Sequence, residues 1–218
     1  MQKNGLVLSI FPGIDLLGMA FEEQGYCVVR GPDLLWGGDI KEFHPPAGAF
    51  EGVIGGPPCI GDSNLAVLQY GHPGYSLWEE AIRVIGEAEP EWWVLEAVVR
   101  KVAPYVVKLS PRYLGEQQSR RRYFHSNLNL EPYIEVSLFE NPIKKLCVIA
   151  SQKKGAKGTV KRGIATYDFP EMCELQGLPR DFDVPDLLKA SKQKVVGNGV
   201  PLSMGKAIAK AVKQATED

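Results

Sequence analysis

The chain has 218 residues, 44% hydrophobic and 23% charged, which excludes wholesale disorder and leaves room for one domain with a small appendage. Its four cysteines (Cys27, Cys59, Cys147, Cys173) match no disulfide framework or zinc spacing, and no run of about 18 apolar residues marks a membrane span. The net charge of −1 hides an imbalance, with 7 Lys/Arg against 14 Asp/Glu in residues 1–109 but 14 against 4 within residues 100–162.

The first half reads as alternating strand and helix. "GLVLSI" (5–10) is a β-rich run stopped by Pro12-Gly13. Leu16, Leu17, Ala20 and Phe21 then give one face of a helix that ends at Gly25. "YCVV" (26–29) and "GVIGG" (52–56) are the next strands, the latter cut off by Pro57-Pro58. A helix is predicted over about 76–88, with Leu77, Ala81, Ile82 and Ile85 inward. "EWWVLEAVV" (91–99) has the continuous apolar character of a strand covered on both faces. This alternation predicts a mostly parallel α/β sheet with right-handed crossovers.

The second half changes character. "RYFHS" (122–126), "YIEVSL" (133–138) and "KLCVIA" (145–150) read as strands without helices between them, so antiparallel pairing is predicted. Residues 150–163 form a Gly- and Lys-rich loop. Met204, Ile208, Val212 and Ala215 then mark one face of a C-terminal helix.

Several residues stand where chemistry is expected. Gly13 lies at a strand-to-helix turn, where backbone and ligand can approach closely; Asp15 beside it suits a ligand with a positive centre, but the turn reads first as one that builds the fold. Asp33 and Asp39 follow the second strand, in place to accept hydrogen bonds from ribose hydroxyls or an adenine amine. In "GGPPCIGDS" (55–63) two glycines and two prolines deliver Cys59 to the C-terminal edge of the sheet, a frame that no core strand needs. The next strand delivers Glu96 to the same edge as a candidate acid. In "QQSRRRYFHS" (117–126), Arg120 and Arg122 are two apart on a predicted strand, hence on one face, and suit recognition of a carbonyl or phosphate.

Taken in order, "FPGIDLLG", "GDI" (38–40), "GGPPC", "VLEAV" (94–98), "QSRRR" (118–122), "PEMCELQGLPRDF" (170–182) and "GNGVPLSMGKAI" (197–208) resemble the blocks of the C5-cytosine DNA methyltransferases. The likeness is strongest to short, phage- or prophage-borne members. It implies a Rossmann-like S-adenosylmethionine-dependent fold, with a core over 1–126, a much reduced target-recognition region over 127–162, and a return to the core over 163–218. It further implies methyl transfer to carbon 5 of a flipped-out cytosine in duplex DNA by a cytoplasmic monomer.

In that scheme Cys59 adds to carbon 6, Glu96 holds ring nitrogen 3, and Arg122, supported by Arg120 and Gln118, lies near the base carbonyl. Phe11 packs on the cofactor adenine, Asp33 takes the ribose hydroxyls, Asp39 the adenine amine, and Asn198 braces the cofactor loop. The resemblance also assigns Gly13, Ile14, Ile40, Pro57 and Val200 to the cofactor and Ser63 and Gln118 to nucleic acid. Lys153, Lys154, Lys157, Lys161 and Arg162 are expected on phosphates, each lost contact lowering the salt slope by about 0.9. Three departures stand out: Ala97 for the family's asparagine, Ile60 and Asp62 after Cys59, and Asp15 for glycine. They leave open a member that binds without turnover, and the short recognition segment leaves open one acting on RNA. Restoring asparagine at position 97 is expected to raise turnover.

Overall fold

The computed structural model describes residues 5–58, 77–149 and 167–217. β1 (Leu6–Ile10), β2 (Cys27–Arg30), β3 (Gly52–Gly55) and β4 (Trp92–Ala97) are parallel, and β5 (Tyr105–Leu109) and β6 (Arg122–Ser126) complete a sheet of order β2-β1-β3-β4-β6-β5. β6 runs antiparallel to both β4 and β5. The N-terminal end of β6 and the C-terminal end of β5 therefore reach the edge where β1, β3 and β4 end.

Helices cover both faces, which is why the central strands are apolar throughout. On one face, α1 (Leu16–Glu22) and the C-terminal α5 (Leu202–Glu217) pack on Val7, Ile54, Trp92 and Val94 through Leu17, Phe21, Met204, Ile208 and Val212. On the other, α2 (Trp78–Ala88) lays Trp78, Ala81, Val84 and Ile85 over Leu8, Ile10, Val53 and Leu95. Ile82, predicted inward, is exposed, because the buried stripe turns through Trp78 and Val84 instead. A third cluster joins Leu16 to α3 (Phe169–Leu175) and α4 (Lys189–Asn198) through Met172, Cys173 and Val196.

Two predicted strands are absent from the described residues. Pro132 opens a short 3-10 turn at Glu131–Tyr133, and the apolar alternation that follows faces no neighbouring strand, leaving Val136 and Leu138 exposed. Residues 145–149 make a single bridge, Gln118 to Lys145, and are otherwise held by side chains. β5, flanked by Pro104 and Ser110, was not predicted. The described part of 127–162 lies against the core: Leu130 is wholly buried, and Glu135 pairs with Lys210 of α5.

Candidate active site

The chain leaves β1 through three left-handed residues, Phe11, Gly13 and Asp15 (φ 54°, 56° and 59°). Gly13 is clamped from both sides. Its amide donates to Asp33 Oδ2 at 2.8 Å, and its carbonyl accepts from Trp36 Nε1 at 2.8 Å.

Asp15 does not face a ligand. It is buried and caps α1, accepting from the Gly18 amide (3.1 Å) and the Ser9 hydroxyl (2.7 Å) and pairing with Arg30 Nε (3.1 Å). Burial pushes its carboxyl above the usual range, against the hydrogen bond from Ser9 and the charge of Arg30. A left-handed residue is required here, and this chain meets the requirement with an acid that stabilises its own turn.

Beyond β2, Asp33 and Asp39 each open a 3-10 turn, accepting from Leu35 (2.8 Å) and Lys41 (3.0 Å) amides. Phe11, Pro32, Asp33, Asp39, Ile40 and Pro58 line a cleft of about 470 Å³, part of it open to solvent. Arg83 of α2, absent from the sequence reading, fixes its floor by donating to the carbonyls of Ile40 (2.6 Å) and Phe43 (3.1 Å). Glu80 and Glu87 hold that guanidinium charged.

The cleft thus gathers Phe11, Asp33, Asp39 and Ile40. Gly13 borders it through Asp33, and Pro57 is buried beside Pro58. Ile14 instead packs in the α3–α4 cluster, and Val200 is a core residue beside Leu17 and Met204. Asn198 is exposed at the end of α4. The adjacent Gly199 lies so close to α1 that a Cβ there would sit 2.7 Å from Leu16 Cδ1.

At the ends of β4 and β6, Glu96 and Arg122 form an ion pair, Nε to Oε1 at 2.6 Å, with side-chain exposures of only 13% for Arg122 and 11% for Glu96. Gly56, just past β3, faces the same carboxylate, since a Cβ on it would stand 3.5 Å from Glu96 Oε2. Cys59, Ser63, Lys153, Lys154, Lys157, Lys161 and Arg162, with Ile60 and Asp62, lie outside the described residues.

Arg120 precedes β6 rather than sharing its face with Arg122. It is buried and donates to Val148 O (2.7 Å), Gly199 O (3.2 Å) and Cys147 Sγ (3.4 Å). Desolvation, then the neighbouring Arg122, pushes its pKa down, while Glu96 opposes the shift. Gln118 is wholly buried, which corrects its assignment to nucleic acid. Its amide bonds Leu175 O (2.5 Å), Gln176 Oε1 (3.1 Å) and the Val148 amide (3.0 Å). Gln176 in turn donates to Val196 O and Gly199 O. These side chains knit the second half of the chain beneath the ion pair.

His125 was also missed. Buried opposite Leu95, it donates from Nδ1 to the Leu95 carbonyl (3.1 Å) and accepts from the Lys101 amide at Nε2 (2.8 Å). Desolvation keeps it neutral, its pKa lowered. It thereby anchors the segment after β4. Ala97 points to the face opposite Glu96, wholly buried in the cluster containing Leu77 and Trp78.

This architecture is shared with several solved structures. A protein described as a DNA modification methyltransferase encoded within an E. coli prophage superposes with a TM-score of 0.63 at 14% identity, over 98% of this chain and 99% of that one. The chain has a methyltransferase fold. The S. pombe Dnmt2 methyltransferase gives 0.61 at 12% identity, over 97% and 98% of the two chains. The Entamoeba histolytica methyltransferase EhMeth gives 0.60 at 11%, over the whole of both. No family model and no curated protein matches the sequence. Within the methyltransferase fold, the described residues contain no cluster able to hold a metal and no helix long and apolar enough to cross a membrane.

Proposed function

We propose that the chain is a C5-cytosine methyltransferase acting on DNA with S-adenosylmethionine as methyl donor. The observation that carries this reading is the enclosed Glu96–Arg122 ion pair beside Gly56, the residue from which the chain runs through two prolines to Cys59. The ordered motif blocks and the methyltransferase fold support it.

The cleft fits the cofactor by its chemistry. Phe11 offers an aromatic face, and two carboxylates complement a cationic ligand carrying hydroxyls and an amine. Asp33 accepts one backbone amide on each oxygen, and each oxygen has a second lone pair for a ribose hydroxyl. When bound, S-adenosylmethionine supplies an electrophilic methyl on sulfur.

In this reading the Cys59 thiolate attacks carbon 6 of the base, forming an S–C bond and moving the ring electrons toward carbon 5. Glu96 holds the proton shared with nitrogen 3, and Arg122 orients Glu96 and meets the carbonyl at carbon 2. Carbon 5 would take the methyl as its bond to sulfur breaks, leaving the neutral thioether S-adenosylhomocysteine. Loss of the carbon 5 proton to solvent base then returns the electrons and expels Cys59.

The test is duplex DNA in which 5-fluorocytosine replaces cytosine, incubated with the protein and S-adenosylmethionine. The fluorine blocks the final elimination, so an adduct stable to denaturing gel electrophoresis is expected from the parent and none from Cys59→Ala. Absence of adduct from the parent on DNA overturns the proposal. Adduct formed only on the matching RNA moves the activity to RNA.

A further inference from the structure

Residues 136–143 are held in an unusual way for an irregular segment. The Ser137 amide donates to Tyr113 O (2.8 Å) and the Asn141 amide to Arg112 O (2.9 Å). Arg112 returns two bonds to Asn141 O, at 3.1 and 2.5 Å, and pairs with Glu140, while Asn141 Nδ2 donates to Gly115 O (2.8 Å). The Ser137 hydroxyl and the Asn141 carboxamide oxygen accept the amides of Phe139 and Ile143. The loop is therefore stapled to the 3-10 turn Pro111–Leu114. Its tip is apolar and open, Leu138 being 90% and Phe139 80% exposed.

Topology fixes where this tip stands. The turn Pro111–Leu114 directly follows β5, whose last residue, Leu109, lies opposite Arg122. The tip thus flanks the sheet edge that holds the Glu96–Arg122 pair. The surroundings are basic. Arg121, Lys144 and Lys145 are exposed, and Lys145 is tied by backbone bonds to Gln117 and Ser119. Of the nearby acids, Glu140 pairs with Arg112 and Glu135 with Lys210, while Glu116 and Glu131 offset part of the charge.

We propose that Leu138 and Phe139 form a rigid apolar wedge that packs against bases of the nucleic-acid substrate beside the reacting base. The site would recognise a π-face and an opened base step without reading the sequence. A held tip loses little freedom on binding, and the flanking cations match a polyanion. The identity of the ligand rests on the reading under Proposed function, but the contact is of another kind from the lysine–phosphate contacts expected of residues 153–162.

The experiment measures binding of fluorescein-labelled duplex DNA by anisotropy across a salt series. Leu138→Ser/Phe139→Ser is expected to weaken binding about tenfold with an unchanged salt slope, and Phe139→Trp to retain it. Lys144→Ala/Lys145→Ala should instead flatten the slope. Unaltered affinity in the double serine variant overturns the wedge, as does absence of duplex binding by the parent. So does a parent dimer that the serine variant turns into monomer with binding unaffected, since the tip would then join two copies of the chain. Trapping by 5-fluorocytosine is scored separately. A parent that binds and loses affinity with the tip, yet traps nothing, refutes the methyltransferase reading and leaves the wedge standing; trapping with an indifferent tip does the reverse.

Discussion

The Glu96–Arg122 pair permits a quantitative test that separates stability from chemistry. With both side chains nearly enclosed, Glu96→Gln or Arg122→Gln leaves the partner charge buried and uncompensated, which costs about 3–5 kcal/mol for a fully buried pair. The residual exposure favours the lower figure, about 3 kcal/mol, equivalent to a fall of roughly 6–12 °C in the melting temperature of a chain this size. The double variant removes both charges, so its loss should not exceed that of either single by much, giving a coupling of about 2–3 kcal/mol. Urea unfolding and calorimetry read the stabilities, and methyl incorporation is measured well below every melting temperature. The double variant should be about as stable as either single, whereas transfer should stay down on the order of 100-fold or more in all three. Additive stability losses would refute the pairing, and transfer that survived in Glu96→Gln would reduce Glu96 to a scaffold role.

Asp33→Ala should weaken S-adenosylmethionine binding about 10- to 100-fold by calorimetric titration, because it removes a charged acceptor and frees the Gly13 amide. Asp15 binds its proton more tightly in the folded chain than in the unfolded one, so its contribution makes stability fall as pH rises from about 4 through its elevated folded pKa. Asp15→Asn should remove that slope in urea unfolding, while Asp15→Ala should cost about 1–3 kcal/mol by stranding the Gly18 amide and the Ser9 hydroxyl. Ala97→Asn, contrary to the sequence-based expectation, should lower stability by about 1–3 kcal/mol and not raise turnover, since it buries an amide in an apolar cluster; an increase in turnover would refute this.

The first half was legible because punctuation and periodicity agree there. Pro12-Gly13, Gly25 and Gly56-Pro57-Pro58 bracket strands whose apolar runs need two covering layers, and the structure supplies both. The second half misled because alternation alone does not reveal whether a partner strand exists. Ile134, Val136 and Leu138 alternate as a strand would, yet the ladder went to Tyr105–Leu109 instead. Charge was similarly ambiguous. Gln118 and Arg120 read as ligand-facing from their chemistry, but each satisfies backbone groups inside the molecule. Glu96 and Arg122 were legible because strand ends fix their position, whereas their mutual pairing needed the antiparallel register of β6.

The turn after β1 also constrains the order in which this sequence can change. A Cβ at position 18 would stand 2.2 Å from Asp15 Oδ2, so the capping acid and the glycine three residues later occupy one another's space. Glycine at 15 keeps the left-handed backbone and removes that clash, a step without which no side chain fits at 18. The reverse order passes through a clash with a buried, ion-paired carboxylate. The two sites therefore drift as a ratchet, with a glycine at 15 opening the way to a side chain at 18 and any side chain at 18 closing the way back to the acid.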